Sequence, residues 1–162
     1  MISVLFVCLG NICRSPLAEG IMNQKIEERG LEDVITADSA GTSDHTAGMD
    51  PDRRTQRIAE KYDLDVSDIT ARPITYEDTE RFDYILAMDR ENYEDIKRSE
   101  RGEARRYMVR DFDTKKDEAF PEVPDPYFDV QEGFEYTYET LERSIRHFLE
   151  HLIERRELEE AR

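Results

Sequence analysis

The stretch Ile2-Ser3-Val4-Leu5-Phe6-Val7-Cys8-Leu9-Gly10-Asn11-Ile12-Cys13-Arg14-Ser15-Pro16 is the one from which the fold follows. Ile2 to Val7 is short, apolar and unalternating, the pattern of a central strand buried on both faces of a parallel sheet. Ser15-Pro16 then marks a helix start, because proline in the first turn gives up only an N–H that has no intrahelical acceptor. Leu17, Ala18, Ile21, Met22 and Ile26 recur at helical spacing, and Gly30 stands where that helix should end. A buried strand, a loop and a helix therefore follow one another directly.

Beyond this unit the pattern repeats. Val34 to Ser39 reads as a second strand closing at Gly41, and Thr42 to Asp50 as a polar loop. Pro51 restarts a helix through about Tyr62, with Ile58, Ala59 and Tyr62 facing inward. Asp83 to Met88 is a third strand, Asp89 to Ser99 a polar helix, and Arg106 to Val109 a short fourth strand. Pro121, Pro124 and Pro126 forbid a helix between Asp113 and Asp129, which leaves a long loop of the kind often given to function. Val130, Phe134, Tyr138, Leu141, Ile145, Phe148 and Leu152 then predict a long amphipathic helix, with residues 155–162 as a frayed, charged tail. Strands alternating with helices predict one α/β domain over residues 1–162, its parallel sheet covered on both faces.

The length of 162 residues suits one domain. With 39 carboxylates against 23 Lys plus Arg, the net charge of −16 disfavours nucleic acid or an anionic membrane as partner. Arg outnumbers Lys and the acids are spread along the chain, a halophile-like surface. No apolar run approaches the ~18 residues of a membrane span, and the N-terminus lacks a basic leader, so a cytoplasmic location is expected. The only cysteines, Cys8 and Cys13, would close too small a loop to staple a fold, which points to chemistry instead.

That chemistry is read from the loop between the first strand and its helix. Wrapped at the carboxyl edge of the sheet, Leu9, Gly10, Asn11, Ile12, Cys13, Arg14 and Ser15 would present a ring of backbone N–H groups. Those donors, the helix dipole and the Arg14 guanidinium form a cradle for a tetrahedral oxyanion. Cys8 lies at its floor, where the same field favours a thiolate facing a bound phosphate. Gly10 permits the curvature, Asn11 tolerates a left-handed conformation, and the Ser15 hydroxyl can donate to the Cys8 sulfur.

At these residues the chain resembles the low-molecular-weight protein tyrosine phosphatases. Val7-Cys-Leu-Gly-Asn-Ile-Cys-Arg-Ser-Pro-Leu-Ala-Glu-Gly20 is similar to the signature loop of that family, and DSAGTSD from Asp38, ARPIT from Ala71, FDYILAMD from Phe82 and VPDPYFD from Val123 resemble its later segments in order. The resemblance implies a four-stranded parallel sheet of flavodoxin-like topology, no metal or cofactor, and a cysteinyl-phosphate intermediate. It implies Cys8 as nucleophile, Arg14 on the phosphoryl oxygens, and Asp125, set between two prolines, as general acid and then base. It places Tyr127 and Phe128 on one wall of the cleft, His45 on the other, and Ser39 against Asn11. Phosphotyrosine-containing proteins or small aryl phosphates are the implied partners. Cys13 offers a reversible disulfide with Cys8 under peroxide. One departure is Ile69, where many relatives carry a His that supports the phosphate loop.

Other readings remain open from the sequence. Thioredoxin-coupled arsenate reductases share such a loop but need further cysteines. Protein-arginine phosphatases tend to carry Thr and Phe where Ile12 and Tyr127 stand. A phosphate-binding module would need neither acid nor nucleophile. His147-Phe-Leu-Glu-His151 matches an H-x-x-E-H metal motif, but Phe148 belongs to the apolar stripe, so these histidines are read as a helix flank.

Overall fold

The computed structural model describes residues 1–99, 104–116 and 121–160. Four strands, β1 (Ile2–Cys8), β2 (Ile35–Gly41), β3 (Tyr84–Ala87) and β4 (Arg105–Met108), form one all-parallel sheet in the order β2-β1-β3-β4. The chain leaves β1 for β2 on one side and returns past it to β3 on the other. The carboxyl ends of β1 and β3 therefore flank a topological switch point, where sheets of this kind bind ligands.

The helices are α1 (Arg14–Glu28), α2 (Arg53–Lys61), α3 (Tyr76–Arg81), α4 (Arg90–Ser99) and α5 (Gln131–Glu160), with a 3₁₀ turn at Val109–Phe112. β1 is buried on both faces, as its unalternating sequence requires. Val4, Phe6 and Cys8 join Leu17, Ile21, Met22, Ile58, Phe134, Leu141, Ile145 and Phe148 in the larger core beneath α1, α2 and α5. Leu5 and Val7 face the other way, into a smaller core with Ile85, Ile96 and Met108 under α4.

α1 ends as predicted, with Gly30 at φ +65° beyond it. Ile69, read as a departure within the site, lies in the larger core, 8% exposed. α3 was not expected. Its start is a reciprocal capping box in which the Thr75 hydroxyl accepts from the Asp78 N–H and the Asp78 carboxylate accepts from the Thr75 N–H.

β4 lies one residue earlier than the expected 106–109, since Val109 already begins the 3₁₀ turn. The expected loop from Asp113 to Asp129 contains residues 117–120, outside the described residues, as are 161 and 162 of the expected tail. Within that tail α5 continues through residue 160, where an Arg156–Glu160 pair at 3.1 Å bridges successive turns. Among the described residues no helix is long and apolar enough to cross a membrane.

Candidate active site

β1 delivers Cys8 to the carboxyl edge of the sheet, and the chain then turns sharply before α1 begins at Arg14. Asn11 makes the turn possible by adopting φ +56°, a left-handed conformation that Asn tolerates better than most side chains. The loop packs against the end of β2 so closely that a Cβ on Gly41 would lie 2.7 Å from the Leu9 carbonyl oxygen. Glycine is therefore demanded at position 41 by close approach. Thr46 donates its hydroxyl to the Gly10 carbonyl, and the Asp52 N–H donates to the Ile12 carbonyl at 2.8 Å.

The buried polar side chains at the floor form one connected network. The Asn11 N–H points at the Cys8 Sγ at 3.3 Å, and the Ser15 Oγ lies 3.0 Å from the same sulfur. Asn11 Nδ2 donates to both Ser15 Oγ, at 2.7 Å, and Ser39 Oγ, at 3.0 Å. The Asn11 amide cannot flip, because its Oδ1 accepts from the Arg72 N–H at 3.0 Å. Since Ser15 Oγ accepts from Asn11, its own proton is free for the sulfur, with the Ala40 carbonyl at 3.4 Å as the weaker alternative. Ser39 donates in turn to Glu19 Oε1 at 2.7 Å. The backbone of Arg72 and the Ser39–Glu19 pair thus support the loop where Ile69 brings no imidazole.

Burial pushes the Glu19 carboxyl up to about 7, against the lowering effect of the Ser39 hydroxyl, with the Asp38 charge raising it further. Between about pH 4.5 and 7 the folded protein therefore holds a proton that the unfolded chain has released, and stability falls as pH rises through that window. Glu19→Gln removes this linkage. Its Tm profile should be flatter than that of the wild type across the window, gaining on the order of 1 kcal/mol relative to wild type by pH 8. Parallel profiles in thermal melts would contradict this.

Arg14, at 2% exposure, is held from the side of β3. Nη1 donates to Asp89 Oδ2 at 2.8 Å and to the Val123 carbonyl at 2.9 Å, and Nη2 lies 3.7 Å from Asp125 Oδ2. Burial works against its charge, but the nearby Cys8 and Asp89 more than compensate and hold the guanidinium protonated. Asp125 is exposed at the cleft mouth, and one of its oxygens accepts from the Tyr127 N–H at 3.1 Å. Cys8, Arg14, Asp125, His45, Tyr127 and Phe128 all line one cleft of about 430 Å³, with Leu9, Ile12 and Met49 adding apolar wall. Tyr127 and Phe128 meet edge to face at 5.0 Å, and Phe128 is almost wholly exposed at the rim.

Both cysteines are free and buried. Burial pushes the Cys13 thiol up to about 12, and the charges of Asp52, Cys8 and Asp125 push the same way, so Cys13 is a poor thiolate in this state. His151, of the H-x-x-E-H motif, packs its ring 5.3 Å from that of Phe112. Among the described residues no group of three or more His, Cys, Asp or Glu side chains could hold a metal ion.

The residues singled out from the sequence thus come together in one cleft and its floor. Asp89, Glu19 and the Arg72 backbone contribute to the site and were not singled out. Asp89 alone carried a usable signal, since it follows the third strand directly and any residue there must reach the edge of the sheet that carries Cys8.

Residues 3–158 match the family model described as low molecular weight phosphotyrosine protein phosphatase. A low molecular weight protein-tyrosine-phosphatase of Bacillus subtilis, YfkJ, is 41% identical over 128 residues, covering 79% of this chain and 82% of that protein. A protein tyrosine phosphatase from Entamoeba histolytica superposes with a TM-score of 0.89 at 34% identity, over 96% of this chain and 99% of the other. The Drosophila arginine phosphatase DARP superposes with a TM-score of 0.85 at 31% identity, over 92% and 96% of the two chains. With this sheet order and a strand–cysteine loop–helix cradle at its switch point, the chain belongs to the low molecular weight phosphotyrosine protein phosphatase family.

Proposed function

We propose that this protein hydrolyses phosphotyrosine in proteins, and small aryl phosphates, through a phosphoryl-cysteine intermediate. The observation that carries the reading is the convergence of Cys8 Sγ, the Arg14 guanidinium and the Asp125 carboxyl on one cleft, with Arg14 and Asp125 3.7 Å apart. The phosphoryl group enters the loop, where backbone N–H groups and the free edge of Arg14 bind its oxygens. The Cys8 thiolate attacks phosphorus, an S–P bond forms, the P–O bond to the phenol breaks, and Asp125 gives its proton to the departing oxygen. A water then attacks phosphorus, Asp125 takes its proton, and the S–P bond breaks to release phosphate. The Ser15 hydroxyl, 3.0 Å from the sulfur, stabilises the thiolate that leaves.

Depth and wall chemistry favour an aryl substrate. Cys8 is only 2% exposed, at the floor of a cleft flanked by Tyr127, Phe128 and Met49, so a phosphate on a long flat ring reaches it while one on a serine side chain falls short. Substrate proteins in the cytoplasm, a reducing compartment, accord with the two free thiols.

Phosphotyrosyl, phosphoseryl and phosphoarginyl peptides of one sequence, given to wild type and Asp125→Asn, test the reading. Wild type should turn over the phosphotyrosyl peptide selectively, and Asp125→Asn should lose about 10²-fold in kcat/KM. Preference for the phosphoarginyl peptide would reassign the substrate, and tight phosphate binding without turnover would leave a binding module.

A further inference from the structure

The segment that carries Asp125 runs from Val123, whose N–H donates to the Met88 carbonyl and whose carbonyl accepts from Arg14, to the start of α5, and further contacts hold it to the rest of the protein. Several of them converge on one side chain in α2. Arg54 donates through Nε and Nη2 to the two oxygens of Asp52, both at 3.0 Å. Its Nη1 donates to the Asp129 carbonyl at 2.7 Å. Its guanidinium lies over the Phe134 ring at 4.5 Å and the Tyr127 ring at 5.6 Å. The Arg54 carbonyl also receives a long bond from Gln131 at 3.5 Å.

The other end of this bracket is fixed to the phosphate loop. The Asp52 N–H donates to the Ile12 carbonyl at 2.8 Å, and Thr55 Oγ1 approaches the Cys13 carbonyl at 3.4 Å. Asp52 also caps α2 through the Arg54 N–H at 2.8 Å, so its carboxylate, and the fork it offers, cannot wander. A planar guanidinium is suited to this place because it pairs in a fork, reaches a carbonyl and stacks on two rings at once.

We propose that Arg54 is a positioning residue that sets the height of Asp125 above Cys8, gripping the segment two and four residues beyond the acid and tying it, through Asp52, to the phosphate loop. This rests on the reading of Asp125 as general acid. Arg54 itself takes no part in the proton transfer, so its loss acts through the placement of that acid. A misplaced acid harms substrates in proportion to their need for a proton. Phenyl phosphate, with a strongly basic leaving oxygen, suffers most, while 4-nitrophenyl phosphate departs well unaided.

The experiment is kcat/KM for both esters in wild type, Arg54→Ala, Arg54→Lys, Asp52→Asn, Asp125→Asn and the Asp125→Asn/Arg54→Ala double variant. Arg54→Ala should lose about tenfold more on phenyl phosphate than on 4-nitrophenyl phosphate. Arg54→Lys and Asp52→Asn, which keep the charge or the cap but not the fork, should move the same ratio less far. In the Asp125→Asn background Arg54→Ala should not change the ratio further, because the group it positions is already gone. Equal losses on the two esters, or none, would overturn the proposal. If Arg54→Ala does not fold, the two milder variants decide by the same ratio. An unchanged ratio in Asp125→Asn alone would show that the acid assignment itself had failed, and the role of Arg54 would fall with it.

Discussion

Cys8→Ser is expected to lower kcat for a phosphotyrosyl peptide by at least about 10⁴-fold while leaving the fold and phosphate binding in place. The side chain is nearly the same size, and its neighbours suit an oxygen as well as a sulfur: the Asn11 N–H at 3.3 Å and the Ser15 hydroxyl at 3.0 Å remain partners. What disappears is the nucleophile, because a serine hydroxyl is far less acidic than a thiol, and the groups that meet the side chain at position 8, the Asn11 N–H and the Ser15 hydroxyl, are not bases that could take its proton. Steady-state kinetics on the phosphotyrosyl peptide, with inorganic phosphate protection against thermal unfolding as the binding control, check both halves. Retained turnover would remove Cys8 from the reaction.

Arg14→Lys carries the second large effect, a loss of about 10³-fold in kcat/KM. Arg14 is committed on one edge and open on the other: Nη1 serves Asp89 and the Val123 carbonyl, and Nη2 faces Asp125 and the cleft. A lysine ammonium keeps one positive charge but is a point donor, so it cannot hold Asp89 and bind two phosphoryl oxygens in one plane. The loss should appear in kcat as well as in KM, since charge spreads over those oxygens as the P–O bond breaks. A lysine variant that raised KM alone would reduce Arg14 to a ground-state anchor.

The parts of this account that were legible in the sequence are those whose physics is local. β1, the loop and α1 are contiguous, and each announces itself: an unalternating apolar run, then Gly10 and Asn11 at a turn, then Ser15-Pro16 and a 3.6-residue apolar period. α3 was missed although Thr75 and Asp78 form a readable capping box, because a helix of six residues has no room to show an apolar period. β4 was placed a residue late because it buries only Met108, which leaves little alternation to read.

The missing site residues are missing for a different reason. Asp89 lies 75 residues from Arg14, and the two meet only because β3 pairs with β1 at the switch point. Arg72 contributes a backbone N–H, which no side-chain pattern can announce. Glu19 and Arg54 are among dozens of charged residues on helices, and their partners, Ser39 and Asp129, come from other elements. The catalytic loop could be read from a short stretch, whereas the shell that orients it is a product of topology.

The claim on which everything else depends is that phosphate passes through a covalent bond to Cys8. Wild type and Asp125→Asn should be mixed with a phosphotyrosyl substrate, quenched in denaturant during turnover, and examined by peptide mass spectrometry. The account predicts a phosphoryl group on Cys8, absent from Cys8→Ser and released as inorganic phosphate when the undenatured enzyme is left to react. Turnover with Cys8 unmodified at every time, and a phosphoryl group on another residue or on none, would contradict it.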